Sequence, residues 1–153
     1  AGDPALRDLL ELCEPGYERQ RIEQFLIESL VLVPAGARMI AAADPGVGEV
    51  LRRSQELADR GLCNQVPQTR LMVSLACQAG AIGASSFGAG WGGSVYALVR
   101  ADDAEAFAAQ WLGAYRDREP GAEQAAVIVT RPGPGACRLL RAPWPAGLTP
   151  RRG

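Results

Sequence analysis

Four glycines fall within six residues, at Gly88, Gly90, Gly92 and Gly93, inside the run Ala84–Val99. Apolar, strand-like sequence lies on both sides. Glycine adopts φ > 0 and lets a backbone approach a ligand or another loop closely. So many together predict a tight, specially shaped turn, at a cost in chain entropy that a plain hairpin avoids. Two readings of the residues stand side by side: a structural hairpin with a glycine bulge, or a loop whose bare backbone faces a ligand. The spacing Gly88, Gly90, Gly93 satisfies G-x-G-x-x-G. That dinucleotide fingerprint must follow a strand and open a helix. Here Val95-Tyr96-Ala97-Leu98-Val99 follows, which is rich in strand formers. No Gly-Lys-Ser/Thr follows either, so the run is not a P-loop.

Other chemistry is excluded by composition. All 16 cationic side chains are arginine, and the chain contains no lysine and no histidine. A histidine base, a Ser-His-Asp triad, a lysine Schiff base and an imidazole metal ligand are therefore ruled out. The four cysteines, Cys13, Cys63, Cys77 and Cys137, contain no C-x-x-C pair, so no metal site is expected. Free thiols in a reduced, cytoplasmic setting are expected. No signal peptide and no apolar run long enough to span a bilayer is evident. A net charge of −1 gives no basis for general affinity to nucleic acid or an anionic membrane. From Arg131 onward there are five arginines and no acid, which reads as a solvated or disordered tail.

Helices should surround the glycine run. Leu6, Leu9, Leu10 and Cys13 form one apolar face, ended by Pro15-Gly16. Ile22, Phe25, Leu26, Leu30 and Val33 form the next, which Pro34 should kink or interrupt. Helix resumes through Ala43 until Asp44-Pro45-Gly46. Val47, Val50, Leu51 and Leu57 mark a third helix that stops near Gly61. Pro67 suits the first turn of a fourth, running to Gly80. Asn64 and Gln65 either cap that helix or face a cleft, and capping alone accounts for Asn64. After strand, glycine turn and strand, Asp102 or Asp103 caps a helix with Phe107, Ala108, Trp111, Leu112 and Tyr115 on its inner face. A last strand is expected over Ala125–Thr130, and Arg131-Pro132-Gly133-Pro134-Gly135 cannot continue it.

Strand, strand, helix, strand is the back half of a split β-α-β, ferredoxin-like unit. The expected class is α+β, an antiparallel sheet with several helices packed on one face. Only three strands are evident, so a fourth is short or contributed elsewhere. Residues 1–140 read as one domain and 141–153 as a Pro/Arg-rich tail.

Phe87-Gly88-Ala89-Gly90-Trp91-Gly92-Gly93-Ser94 resembles the third motif of the GHMP kinases, roughly Thr-Gly-Ala-Gly-Phe-Gly-Gly-Cys before a hydrophobic strand. Within that superfamily the likeness is nearest to the galactokinases. Arg19–Phe25 with Glu28-Ser29, Ser54–Leu57, Asn64–Thr69 and Arg131–Ala136 also fall in the family's order. The family's Thr is Phe87 here, its Lys or Arg two places earlier is Ser85, and its last Cys is Ser94. The resemblance implies that Gly88, Ala89, Gly90, Gly92 and Gly93 line a nucleotide and sugar cleft, bracing or touching phosphate through backbone N–H groups.

The family's sugar-positioning first motif and its Ser-rich phosphate loop do not occur in these residues. The resemblance therefore implies the C-terminal portion of a sugar kinase, with no catalytic residue of its own and a missing N-terminal kinase domain as its partner. ATP and Mg²⁺ belong to the complete enzyme, and neither is expected to bind this chain tightly. The alternative is a non-catalytic, standalone ferredoxin-like module that binds a ligand or protein. A large apolar patch on the face a second domain would cover is the feature to look for.

Overall fold

The computed structural model describes residues 8, 10–131 and 133. Leu6 and Leu9 of the first predicted helix face, Cys137 and the tail 141–153 lie outside them. Asp8, Leu10 and Glu11 are helical. The elements that follow are helices α1 (Tyr17–Ile27), α2 (Val33–Ala41), α3 (Val47–Leu57) and α4 (Pro67–Gln78), then strands β1 (Gly83–Phe87) and β2 (Ser94–Leu98), then helix α5 (Ala104–Arg116). The α+β class is as expected.

Pro34 does not interrupt the second helix. A π-helical turn, Glu28–Leu32, joins α1 to α2, and Val33 N–H bonds back to Glu28 C=O. The wider turn shifts the hydrogen-bond register just before the residue that has no N–H to give, so one continuous rod runs from Tyr17 to Ala41. This rod is long and apolar enough, by length and composition, to cross a membrane. The expectation that no apolar run is long enough to span a bilayer does not hold of this rod. The rod is nonetheless tied into the fold: Ser54 Oγ donates to Glu28 Oε1 at 2.9 Å. After Ala41, Gly46 N–H bonds Asp44 Oδ1 at 2.8 Å, closing the Asp-Pro-Gly break.

β1 and β2 pair antiparallel, with Gly83 opposite Leu98, Ser85 opposite Tyr96 and Phe87 opposite Ser94. Alternation along β1 then assigns the faces. Ala84 joins Leu75, Ala76, Phe107 and Trp111 in the buried core, so α4 and α5 stack on that face as expected. Trp111 Nε1 donates to Met72 C=O at 2.9 Å and locks the two helices together. On the side of Gly83 and Ser85 lies α3. A Cβ at Gly48 would sit 1.9 Å from Ile82 C=O, and one at Gly83 would meet Leu51 Cδ1 at 2.9 Å. Two bare backbones therefore form this seam, which no larger residue fits.

Two expectations fail locally. Neither Asp102 nor Asp103 caps α5 through its side chain; Ala101–Asp103 is a 3₁₀ turn, and Asp103 already has helical dihedrals. Both acids still lie at the positive end of the helix, where negative charge is favoured. Residues 125–130 form no strand. Val127 packs against the core, and Arg116 donates to Ala125 C=O at 2.6 Å. Among the described residues, however, nothing forms a ladder with the segment, so its run of strand formers has no sheet partner.

Candidate functional site

The hairpin connection Gly88–Gly93 carries positive φ at five positions: Gly88 (+87°), Gly90 (+84°), Trp91 (+63°), Gly92 (+115°) and Gly93 (+93°). Glycine takes this conformation without the Cβ penalty; Trp91 does not and is held there by its surroundings. Trp91 N–H donates to Asn64 C=O at 2.6 Å. The Asn64 side chain donates in turn to Ala89 C=O at 3.2 Å. A Cβ at Gly90 would lie within 2.6 Å of Asn64 atoms, so the turn rests directly on this residue. Asn64 is therefore a clamp for the glycine turn and not a helix cap. The N-cap of α4 is Val66, whose N–H donates to Thr69 Oγ1 at 3.2 Å.

A polar relay runs from this clamp to the start of the hairpin. Gln65 Nε2 donates to Asn64 Oδ1 at 2.9 Å. Gln65 Oε1 accepts from Thr69 Oγ1 at 3.0 Å and from Gln55 Nε2 at 3.1 Å. Gln55 Oε1 accepts from Ser85 Oγ at 3.1 Å and from Ser86 N–H at 2.8 Å. Gln65, Thr69 and Ser85 are buried, so these partners satisfy groups that would otherwise be costly to remove from water. The strand entering the glycine turn and the turn's middle, at Ala89 and Trp91, are thus tied to one network built from α3, the loop before α4 and β1.

Sequence reasoning did not single out Gln55 or Thr69 as site-forming. A signal existed: Gln55 follows Val47 and Leu51 at intervals of four, a polar residue on an apolar helix face. Of the residues that depart from the kinase pattern, Ser85 is turned inward to Gln55, Phe87 packs its ring 5.9 Å from Tyr96, and Ser94 is exposed.

The turn's own backbone is left bare. Among the described residues, no backbone group accepts a hydrogen bond from the N–H of Gly88, Ala89, Gly90, Gly92 or Gly93. Gly88 and Gly93 have open space where a side chain would be. Successive N–H groups in such a turn form a concave, electropositive nest suited to an anion. Nearby, burial and then the Glu28 carboxylate push the Tyr96 phenol above its usual value, while a hydrogen bond with Ser85 opposes them. Tyr96 stays neutral at physiological pH. No group of three or more acidic, Cys or His side chains able to hold a metal occurs among the described residues.

The family model described as GHMP kinases C terminal matches residues 39–117. The match takes in α3, α4, both strands, the glycine turn and α5, and with them the clamp and the relay.

Proposed function

The chain belongs to the GHMP kinase C-terminal family, and on that premise we propose that it is the C-terminal portion of a galactokinase-like sugar kinase. Its complete form phosphorylates galactose or a related sugar from ATP. The observation that carries this reading is the bare, clamped glycine turn. Among the described residues, five of its N–H groups have no backbone partner and are open to phosphate oxygens, and Gly88, Ala89, Gly90, Gly92 and Gly93 are the residues to hold them. Bound ATP supplies the γ-phosphoryl group, and phosphoryl transfer needs mainly positioning and charge stabilisation. This chain's share is positioning: Asn64 and the relay fix the turn before the ligand arrives, so little ordering cost remains on binding. Among the described residues no cluster of three or more acidic, Cys or His side chains occurs, and Mg²⁺ would be held in the complete enzyme largely through the ATP phosphates.

A standalone module is less well supported. Phe25, Leu30, Val31, Val33 and Ile40 are all exposed on the α1–α2 rod, with Phe25 at 64%. Large apolar side chains left exposed along one rod suit a face that another domain or protein covers. We assign that cover to an N-terminal kinase domain.

The test is ADP release with ATP, Mg²⁺ and galactose. The chain alone should stay at background. Adding a galactokinase N-terminal half should raise turnover about tenfold or more over either part, a gain of ~1.4 kcal/mol in barrier terms. No gain with galactose, homoserine or mevalonate as acceptor overturns the kinase reading; a gain with another acceptor alone overturns the sugar.

A further inference from the structure

Phe87 and Tyr96 form an exposed aromatic pair at the neck of the glycine turn. Their ring centroids are 5.9 Å apart and the ring planes are tilted by 56°. Phe87 stays 54% exposed and Tyr96 40%. The ladder sets both on one face of the hairpin, Phe87 opposite Ser94 and Tyr96 opposite Ser85. A hydrogen bond with Ser85 steadies the Tyr96 ring. Phe87 precedes Gly88, and Gly93 precedes Ser94. The pair therefore adjoins the two turn positions with open space where a side chain would be. An aromatic face and a row of bare N–H groups meet here within one residue, about 3.8 Å of chain. A free anion uses only the N–H groups, and a purely apolar partner uses only the rings. A ligand that uses both carries an anionic group joined directly to a ring with an apolar face.

A sugar phosphate meets that condition. One ester oxygen joins its ring to its phosphate, and the C–H face of the sugar suits the electron-rich face of an aromatic ring. A nucleobase does not meet it, because a ribose stands between base and phosphate. We infer that Phe87, buttressed by Tyr96, is a specificity-determining residue: it stacks on the sugar of a phosphorylated monosaccharide whose phosphate oxygens lie on the N–H groups of the turn. The inference rests on the phosphate reading of the turn and adds the side chain that selects what the phosphate carries. The kinase motif has Thr at this position, which offers no such face.

Amide NMR of the full chain tests it. Inorganic phosphate, galactose 1-phosphate and adenosine monophosphate are the probes, each titrated to about 10 mM, the scale of a weak site. Shifts of the 88–93 amides report each Kd. Galactose 1-phosphate should bind about fivefold or more tighter than inorganic phosphate, the scale of one ring contact. A nuclear Overhauser contact between the Phe87 ring and the sugar C–H protons should appear in the unaltered chain, and its absence from a bound complex overturns the inference without any variant. Phe87→Thr keeps the strand preference and removes the ring, so the ratio should fall below about twofold; Phe87→Tyr keeps the ring and should keep the ratio. Unchanged shifts in α4 and α5 show that each variant is folded. A ratio near one in the unaltered chain, or one that survives in Phe87→Thr, overturns the inference, and the phosphate reading then still stands on the shifts with inorganic phosphate. Adenosine monophosphate binding as tightly as galactose 1-phosphate makes the pair a base platform and overturns the sugar. No shift at 88–93 with any probe overturns the phosphate reading and the inference together.

Discussion

Asn64 grips the glycine turn at two points, its carbonyl accepting from Trp91 N–H at 2.6 Å and its side-chain amide donating to Ala89 C=O at 3.2 Å. The two contacts fix the turn independently of any ligand. Asn64→Ala removes the second, takes the acceptor from the buried Gln65 Nε2 as well, and leaves the first. The expected loss is about 1–3 kcal/mol, the cost of leaving a buried polar group short of a partner. Amide exchange over 88–93 should accelerate while the α4–α5 core is unchanged; equal acceleration everywhere contradicts a local clamp.

Two glycines of similar φ should respond differently to alanine. At Gly88 (φ +87°) the new methyl meets nothing within 4 Å, and only left-handed strain of about 1 kcal/mol is expected. At Gly90 (φ +84°) the methyl also strikes Asn64, including its backbone oxygen at 2.6 Å. Gly90→Ala should cost roughly 2 kcal/mol or more, strain and displacement together. Equal melting temperatures for the two variants would show that Asn64 does not support the turn.

Gln55→Ala strips the partner from Ser86 N–H and one of two partners from Ser85 Oγ and from Gln65 Oε1 at once. Leaving buried polar groups unpaired costs about 1–3 kcal/mol. Urea unfolding should give a lower midpoint, and the Gln55→Ala, Asn64→Ala double variant should lose less than the sum of the two, as members of one network do. Strict additivity would mean that the relay is not a unit.

Tyr96 should contribute to a loss of stability at alkaline pH. Burial, then Glu28, raise its folded value above the ordinary 10.0. A raised value means that the fold prefers the neutral phenol: this contribution is complete below pH ~10 and is lost as pH climbs through the folded value. Tyr96→Phe should flatten the decline in stability above pH ~10. An unchanged alkaline slope would assign the decline to other groups.

The helices were largely legible. Pro67 opens α4, and Phe107 and Trp111 are buried on α5 as their spacing required. What escaped prediction depends on partners distant in sequence. Asn64 looks like a cap because its neighbours begin a helix, yet its bonds go to residues 25 and 27 positions away, at Ala89 and Trp91. Residues 125–130 carry a run of strand formers, but a ladder needs a second edge, which local propensity does not supply. Pro34 read as a kink or interruption because the rule assumes α-helical register, and a π turn sets that register aside.

At the seam between α3 and β1, the backbone of Gly48 approaches Ile82 with no side chain between them. Such a joint has no cushion. A helix seated on side chains tilts by exchanging their rotamers, whereas one seated on main chain has a single resting place. Gln55 lies seven residues on, two turns along the same axis. Its amide therefore reaches the hairpin at a height machined by the seam, and whatever loosens that joint should detune the far end of the relay without touching any of its members.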